Sequence, residues 1–132
     1  MPYEIETDIE HGIVRLCMFG ETDLKQHEIA RQEVGLECLS TKCWKLLVDL
    51  HRVITEGFFS FSDALRFAEH FDSNYPDFRH SLSIAVILPI SDDSIHLIEV
   101  AAGALRCKGM NLQTFDDEKG AIHWLTNQCW KI

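Results

Sequence analysis

The run SLSIAVILP, Ser81 to Pro89, constrains this chain more than any other stretch, because aliphatic residues follow one another from Ile84 to Leu88 before a proline stops them. A short unbroken apolar run of this kind is what a strand covered on both faces requires, since both alternating sets of side chains must then leave water. A second run of the same kind, CWKLLVDL, ends at Asp49 and Leu50. Buried strands imply helices packed on their sheet, and the intervening segments carry helical spacing.

The segment ETDLKQHEIARQEVGLECLS offers Thr22 or Asp23 as a cap. Leu24, His27, Ile29, Val34, Leu36 and Leu39 then supply a partly helical apolar stripe, which Gly35 weakens in its later half. In SFSDALRFAEHF, Phe61, Leu65, Ala68 and Phe71, with Ala64 and Phe67, stand at helical spacing behind Ser60 or Ser62 as N-cap, and SNYPD ends the helix. SDDSIHLIEVAAGALRCKGM opens acidic and closes basic before Gly109, the charge order that suits the helix dipole. NLQTFD reads as a short strand, and DEKGAIHWLTNQCW as a helix whose Ala121, Ile122, Trp124, Leu125 and Cys129 can face a sheet.

At the start of the chain, YEIETD and GIVRLCMFG flank a turn containing Gly12 and predict an antiparallel hairpin. In the second of these strands Val14, Leu16 and Met18 form an apolar face, and Ile13, Arg15, Cys17 and Phe19 a mostly apolar one. The order is β-β-α-β-α-β-α-β-α. Strands joined through helices make parallel, right-handed crossovers. The expected architecture is therefore α/β: a mixed, mostly parallel sheet of about five strands with an N-terminal antiparallel hairpin and four helices. At 132 residues, with no linker or low-complexity tract, residues 1–132 are expected to form a single domain.

Composition removes several classes of function. Twelve basic against 21 acidic residues leave a net charge of -9, which opposes attraction to nucleic acid or anionic lipid. The apolar run IAVILPI is far shorter than a membrane helix, so no stable membrane insertion is expected, and MPYEIETDIEHG lacks the features of a signal peptide. Five cysteines, Cys17, Cys38, Cys43, Cys107 and Cys129, are an odd number without a CxxC pair, which argues for reduced thiols and a cytoplasmic location. No phosphate-cradling glycine loop, complete metal set or nucleophile motif is present, so neither a cofactor nor a metal is expected.

The element order, with GIVRLCMFGETDLKQHE ahead of KLLVDLHRV, LSIAVILP and FDDEKGAIHWL, resembles the STAS domain superfamily, in particular stand-alone SpoIIAA-like proteins of STAS/SEC14 type. The likeness spans nearly the whole chain. It rests on the strand ending in Gly20 before an acidic helix start, the VDL strand end and the closing strand-helix pattern. These are structural motifs, so they speak to fold before function. The resemblance implies a SpoIIAA-like fold and a non-enzymatic regulator. In the anti-sigma-antagonist branch a Ser or Thr in a DSSG-type turn after the strand matching LLVDL is phosphorylated. Here the chain reads HRVITEGFFSFSDAL, with Thr55 near Gly57 and no adjacent Ser-Gly pair, so that turn departs from the pattern. The lipid-binding side of the resemblance implies an apolar cavity instead. A receiver-type reading would need an acidic cluster after the first parallel strand and a later lysine, and neither stands where expected.

The residues singled out for a binding or regulatory surface are Asp49, His51, Arg52, Thr55, Ser60, Ser62 and Asp63. Asp49 ends a buried strand, where a carboxylate must find donors or open onto solvent, and loop-tying is its plainer role. His51 and Arg52 follow at the carboxyl edge, where open α/β sheets place ligands, and a solvated histidine is the plainer alternative. Ser60 and Ser62 precede a helix as caps, and a phosphate there or at Thr55 would add about two negative charges at a helix start. Phe58, Phe59, Phe61 and Phe67 are either ordinary core or a contact for a dimer or a hydrophobic ligand.

Two metal patterns fail. HEIAR has Arg31 where a zinc-protease helix needs its second histidine, which leaves His27, Glu28 and Glu33 on a solvated face. Asp92, Asp93 and Ser94 are explained by helix capping. The function expected is therefore a non-enzymatic, regulatory protein-interaction domain whose partner is another protein or itself, as a homodimer. One alternative is a binder or carrier of a hydrophobic, lipid-like small molecule, with the phenylalanines lining a cavity beneath the second helix. Another is an enzyme built on Asp49, His51 and Arg52, which requires those side chains to converge.

Overall fold

The computed structural model describes residues 3–54, 60–70 and 82–128. Thr55, Phe58, Phe59, Phe71 and Cys129 lie outside the described residues. Within them the elements are β1 (Tyr3–Asp8), β2 (Ile13–Glu21), α1 (Leu24–Thr41), β3 (Lys45–Ile54), α2 (Phe61–His70), β4 (Ser83–Ile87), α3 (Asp92–Cys107), β5 (Asn111–Phe115) and α4 (Glu118–Thr126). They match the expected order.

The five strands form one mixed sheet in the order β1-β2-β3-β4-β5. β1 runs antiparallel to β2 from Tyr3↔Met18 to Asp8↔Ile13, and the turn between them uses Gly12 at φ 67°. The remaining pairs are parallel. Because each crossover steps the same way across the sheet with the same hand, α1 and α3 lie on one face and α4 on the other. On the first face Leu16 and Met18 of β2, Leu46 and Leu50 of β3, and Ile84 and Val86 of β4 pack with Ala30, Val34 and Cys38 of α1 and Ile98 and Leu105 of α3. On the second, Ile13, Leu47, Ala85 and Ile87 pack with Ala121 and Leu125 of α4, with Phe115 and Trp124 alongside. Double coverage is what the unbroken runs of β3 and β4 required.

Helix ends follow local chemistry. Asp23 caps α1 in a reciprocal box with Gln26, and Lys42 ends it in the left-handed region at φ 56°. Ser91 caps α3, with Asp92 and Asp93 in its first turn, and Asp117 caps α4. Among the described residues no helix is long and apolar enough to cross a membrane.

Several details differ from expectation. α1 continues through Gly35 and buries His27, Ala30, Val34, Gly35 and Cys38, leaving Ile29, Leu36 and Leu39 exposed. Small residues let the helix lie close to β1 and β2, so the larger aliphatics are displaced outward. His27, expected on a solvated face, is buried against the Thr22 hydroxyl, with its Nε2 2.9 Å from Oγ1. In α2 the buried side chains are Ala64 and Ala68, while Phe61 and Leu65 are exposed. In α4 Ile122 also stays exposed. β3 does not end at Leu50 but runs on to Ile54.

Candidate functional site

The extra length of β3 shapes the carboxyl edge of the sheet. β4 pairs with β3 only from Lys45 to Asp49, whereas β2 stays paired with it as far as Glu21↔Ile54. The β2–β3 pair therefore continues as a two-stranded ribbon past the end of β4. Its register shifts between Cys17↔Asp49 and Phe19↔Arg52, so β3 carries one extra residue there. Such a bulge bends a strand and re-aims its side chains. Beyond it His51, Arg52 and Ile54 are exposed while Val53 is buried.

Asp49 sits before the bulge and is largely buried. Its Oδ2 accepts from Arg15 Nη2 at 3.2 Å and its Oδ1 accepts from the His51 backbone amide at 3.0 Å. The other Arg15 nitrogen, Nη1, donates to Glu118 Oε1. One guanidinium thus joins β2, β3 and the first residue of α4. Cys17 lies across from Asp49, and burial, then the Asp49 charge, push its thiol pKa up, which keeps it protonated at neutral pH.

The His51 ring Nδ1 lies 3.4 Å from the Leu88 carbonyl oxygen, beyond the end of β4. The Arg52 side chain has no hydrogen bond or ion pair with a described residue, while its backbone lies in register with Phe19 of β2. Among the described residues no hydrogen bond joins the side chains of Asp49, His51 and Arg52 to one another; the Asp49 carboxylate is held by Arg15 and the His51 backbone amide. Ser60 and Asp63 form a reciprocal capping box: the Ser60 amide donates to Asp63 Oδ2 at 2.9 Å, and the Asp63 amide to Ser60 Oγ at 3.1 Å. Ser62 is exposed in the first turn of α2.

The described aromatics divide. Phe61 is 53% exposed at the start of α2, at the same end of the sheet as Ile54 (47%) and Ile90 (70%). Phe67 is half-buried between α1 side chains: its ring lies edge-on to His27 at 6.2 Å and 5.8 Å from the Arg31 guanidinium carbon. It also lines an apolar cavity of about 110 Å³ between the sheet and α1, α2 and α3.

Among the described residues Asp8, Glu10 and His11 could bring ligand atoms together around a cation, but all are exposed in the β1–β2 turn. His11 Nδ1 lies 2.7 Å from Asp8 Oδ2. That hydrogen bond raises the histidine pKa and lowers the aspartate's, as expected of an ion pair closing a turn.

Sequence reading did not find the partners of Asp49. Glu118 stands 103 residues from Arg15. The available signal was Arg15 itself, a charge on the face of β2 shared with Ile13, Cys17 and Phe19.

No family model matches the chain, and no curated protein matches it either. Solved structures do. A crystal structure of an uncharacterized DUF3478-family protein with a SpoIIAA-like fold from Shewanella loihica PV-4 superposes with a TM-score of 0.53 at 17% identity, covering 93% of this chain and 91% of that one. The anti-sigma factor antagonist SpoIIAA in its unphosphorylated form superposes with a TM-score of 0.54 at 13% identity, covering 96% and 98%. At such identities the likeness is one of fold. With their antiparallel hairpin, sequential parallel strands and α4 on the second face, the described residues take a SpoIIAA-like α/β fold.

Proposed function

We propose that the chain, as a single domain over residues 1–132, is a non-enzymatic protein-interaction module that docks a protein partner or a second copy of itself through the carboxyl edge of its sheet. The observation that carries this reading is the ribbon of β2 and β3 that outruns β4 and displays His51, Arg52 and Ile54 at the same end as Phe61 and Ile90. Large apolar side chains ringed by polar ones favour a partner over water. The strand order never reverses, so the edge lacks the switch-point crevice in which open α/β sheets hold small ligands. Asp49 supports the ribbon from below through Arg15. Thr55, Ser60, Ser62 and Asp63 belong to the same surface in this reading, with Phe58 and Phe59 as further apolar contacts. A phosphate on any of the hydroxyls would oppose docking by adding charge to an apolar contact. Free thiols at Cys17, Cys38, Cys43 and Cys107 support a cytoplasmic location.

A carrier of a long-chain lipid is the weaker reading. The cavity holds about 110 Å³, whereas ligand pockets run from roughly 300 to 1,000 Å³.

The test is a photo-crosslinking amino acid placed in the host at Phe61, Ile90 or Leu36, the last an exposed aliphatic on α1. Discrete crosslinked species, to another protein or to a second copy, are expected from Phe61 and Ile90, and their loss in Ile54→Asp. Crosslinks confined to Leu36 would move docking to α1 and end this reading.

A further inference from the structure

Among the described residues the sheet ends on either side in a strand with one neighbour, β1 at one margin and β5 at the other, and the two margins differ. At β5 the strand NLQTF carries no charged residue, and Arg106 Nε donates to the Leu112 carbonyl oxygen at 2.9 Å. At β1 no described residue outside β2 hydrogen-bonds the main chain of Tyr3 to Asp8. In an antiparallel pair every second residue aims its N–H and C=O away from the partner strand, so the outer side of β1 offers a row of free donors and acceptors.

Carboxylates flank that row on both sheet faces. Register places Glu4 opposite Cys17, Glu6 opposite Arg15 and Asp8 opposite Ile13, so these acids share the second face, where all three are exposed. On the first face the Thr7 hydroxyl donates to Glu37 Oε2 of α1 at 2.5 Å. Glu33, one turn earlier in α1, stands beside the Tyr3 hydroxyl and, with burial, pushes its pKa up to about 12. Arg15, the cation opposite Glu6, is engaged by Asp49 and Glu118, and His11 by Asp8. Glu4 and Glu6 are thereby left without an ion pair among the described residues.

We infer that the outer side of β1 accepts an extended basic segment of another protein as an added strand, with lysine or arginine at every second position facing Glu4, Glu6 and Asp8. Main-chain hydrogen bonds seat the segment and charge selects it, because opposite charges across a strand pair stabilise it and like charges oppose it. A second copy pairing through β1 sets acids against acids, so this margin rejects self-association and favours a basic partner. Charge on an edge also guards against aggregation, but guarding takes little: β5 has one arginine side chain over its backbone, whereas β1 has acids on both faces. This margin is separate from the docking surface at the carboxyl edge, and the inference does not depend on it.

The test is titration of the amide-labelled protein at low salt with an octapeptide of alternating lysine and threonine, with lysine–proline and glutamate–threonine octapeptides as controls. The lysine–threonine peptide is expected to shift the amide resonances of Tyr3 to Asp8 saturably and to slow hydrogen exchange at every second one of them, leaving Asn111 to Phe115 unmoved. The lysine–proline peptide keeps the charge but lacks half the donors and fits a ladder poorly, and is expected to bind at least about tenfold more weakly. The glutamate–threonine peptide is expected not to bind. Glu4→Gln combined with Glu6→Gln is expected to weaken the lysine–threonine peptide by about tenfold, and the amide spectrum itself reports whether the variant is folded. Absence of saturable shifts at millimolar peptide, equal binding of the lysine–proline peptide, shifts centred away from β1, or undiminished binding in the folded double variant would each overturn the inference.

Discussion

His27 gives the protein a built-in sensitivity to acid. Its imidazole is buried, contacts the Thr22 hydroxyl and meets the edge of Phe67. Burial lowers its pKa from 6.5 to about 4, with the Asp23 charge opposing the shift. Above pH 6.5 neither the folded nor the unfolded chain holds the proton, and the histidine contributes no pH dependence. Between pH 6.5 and about 4 the unfolded chain is protonated and the folded one is not, so stability falls as pH falls, by up to about 1.4 kcal/mol per unit. Across the window the loss is about 3 kcal/mol, a large share of the roughly 5–15 kcal/mol that holds a domain together. Below about pH 4 both states carry the proton and the slope from this group vanishes. The measurement is urea denaturation followed by tryptophan fluorescence, for the natural protein and His27→Gln, at steps from pH 7 down to pH 4. Carboxylates titrate alike in both proteins, so the difference between them isolates the histidine. The stability advantage of the natural protein over the variant is expected to shrink by about 3 kcal/mol on acidification. Parallel curves, or an imidazole resonance of His27 titrating near its ordinary 6.5, would refute the reasoning.

Two further perturbations probe the framework. Gly20, next to last in β2, has φ 79°, and an added Cβ would meet nothing within 4 Å. Gly20→Ala is therefore expected to cost about 1–2 kcal/mol from backbone conformation alone, and a cost near zero in chemical denaturation would count against the left-handed geometry. Arg15→Leu leaves the largely buried Asp49 carboxylate without its cation and is expected to cost about 1–2 kcal/mol. Glu118→Gln, at the more exposed end of the same guanidinium, is expected to cost less than about 1 kcal/mol and to do so mainly at low salt. Equal costs, measured by denaturation at low and high salt, would contradict the difference in burial.

Much of this fold was legible in the chain. The element order, the hairpin at Gly12, the two buried strands and most helix caps follow from runs, periods and cap residues that act over a few positions. Burial of particular faces was less legible. The large aliphatics of α1 suggested one stripe, but the helix seats a different one through Ala30, Val34 and Cys38, because the space between helix and sheet sets which side chains fit. Phe61 and Leu65 fell outside the core for the same reason: α2 meets its neighbours through Ala64 and Ala68.

At the candidate site the division is sharper. Asp49, His51, Arg52, Ser60 and Asp63 could be picked out because polar residues after a buried strand and before a helix cap are locally conspicuous. Their arrangement could not. The ribbon that lifts His51 and Arg52 past β4 depends on β2 remaining paired to Ile54, a contact between segments far apart in the chain. The Arg15 bridge from Asp49 to Glu118 spans 103 positions between Arg15 and Glu118, and the Arg31–Phe67 contact joins two helices across a strand. Local sequence thus determined the order and type of the elements, because strand periodicity and helix capping are short-range energetics. Only the tertiary structure decided which charges meet, which faces stay open and where the cavity lies, because those depend on the three-dimensional gaps left when the sheet and its helices pack.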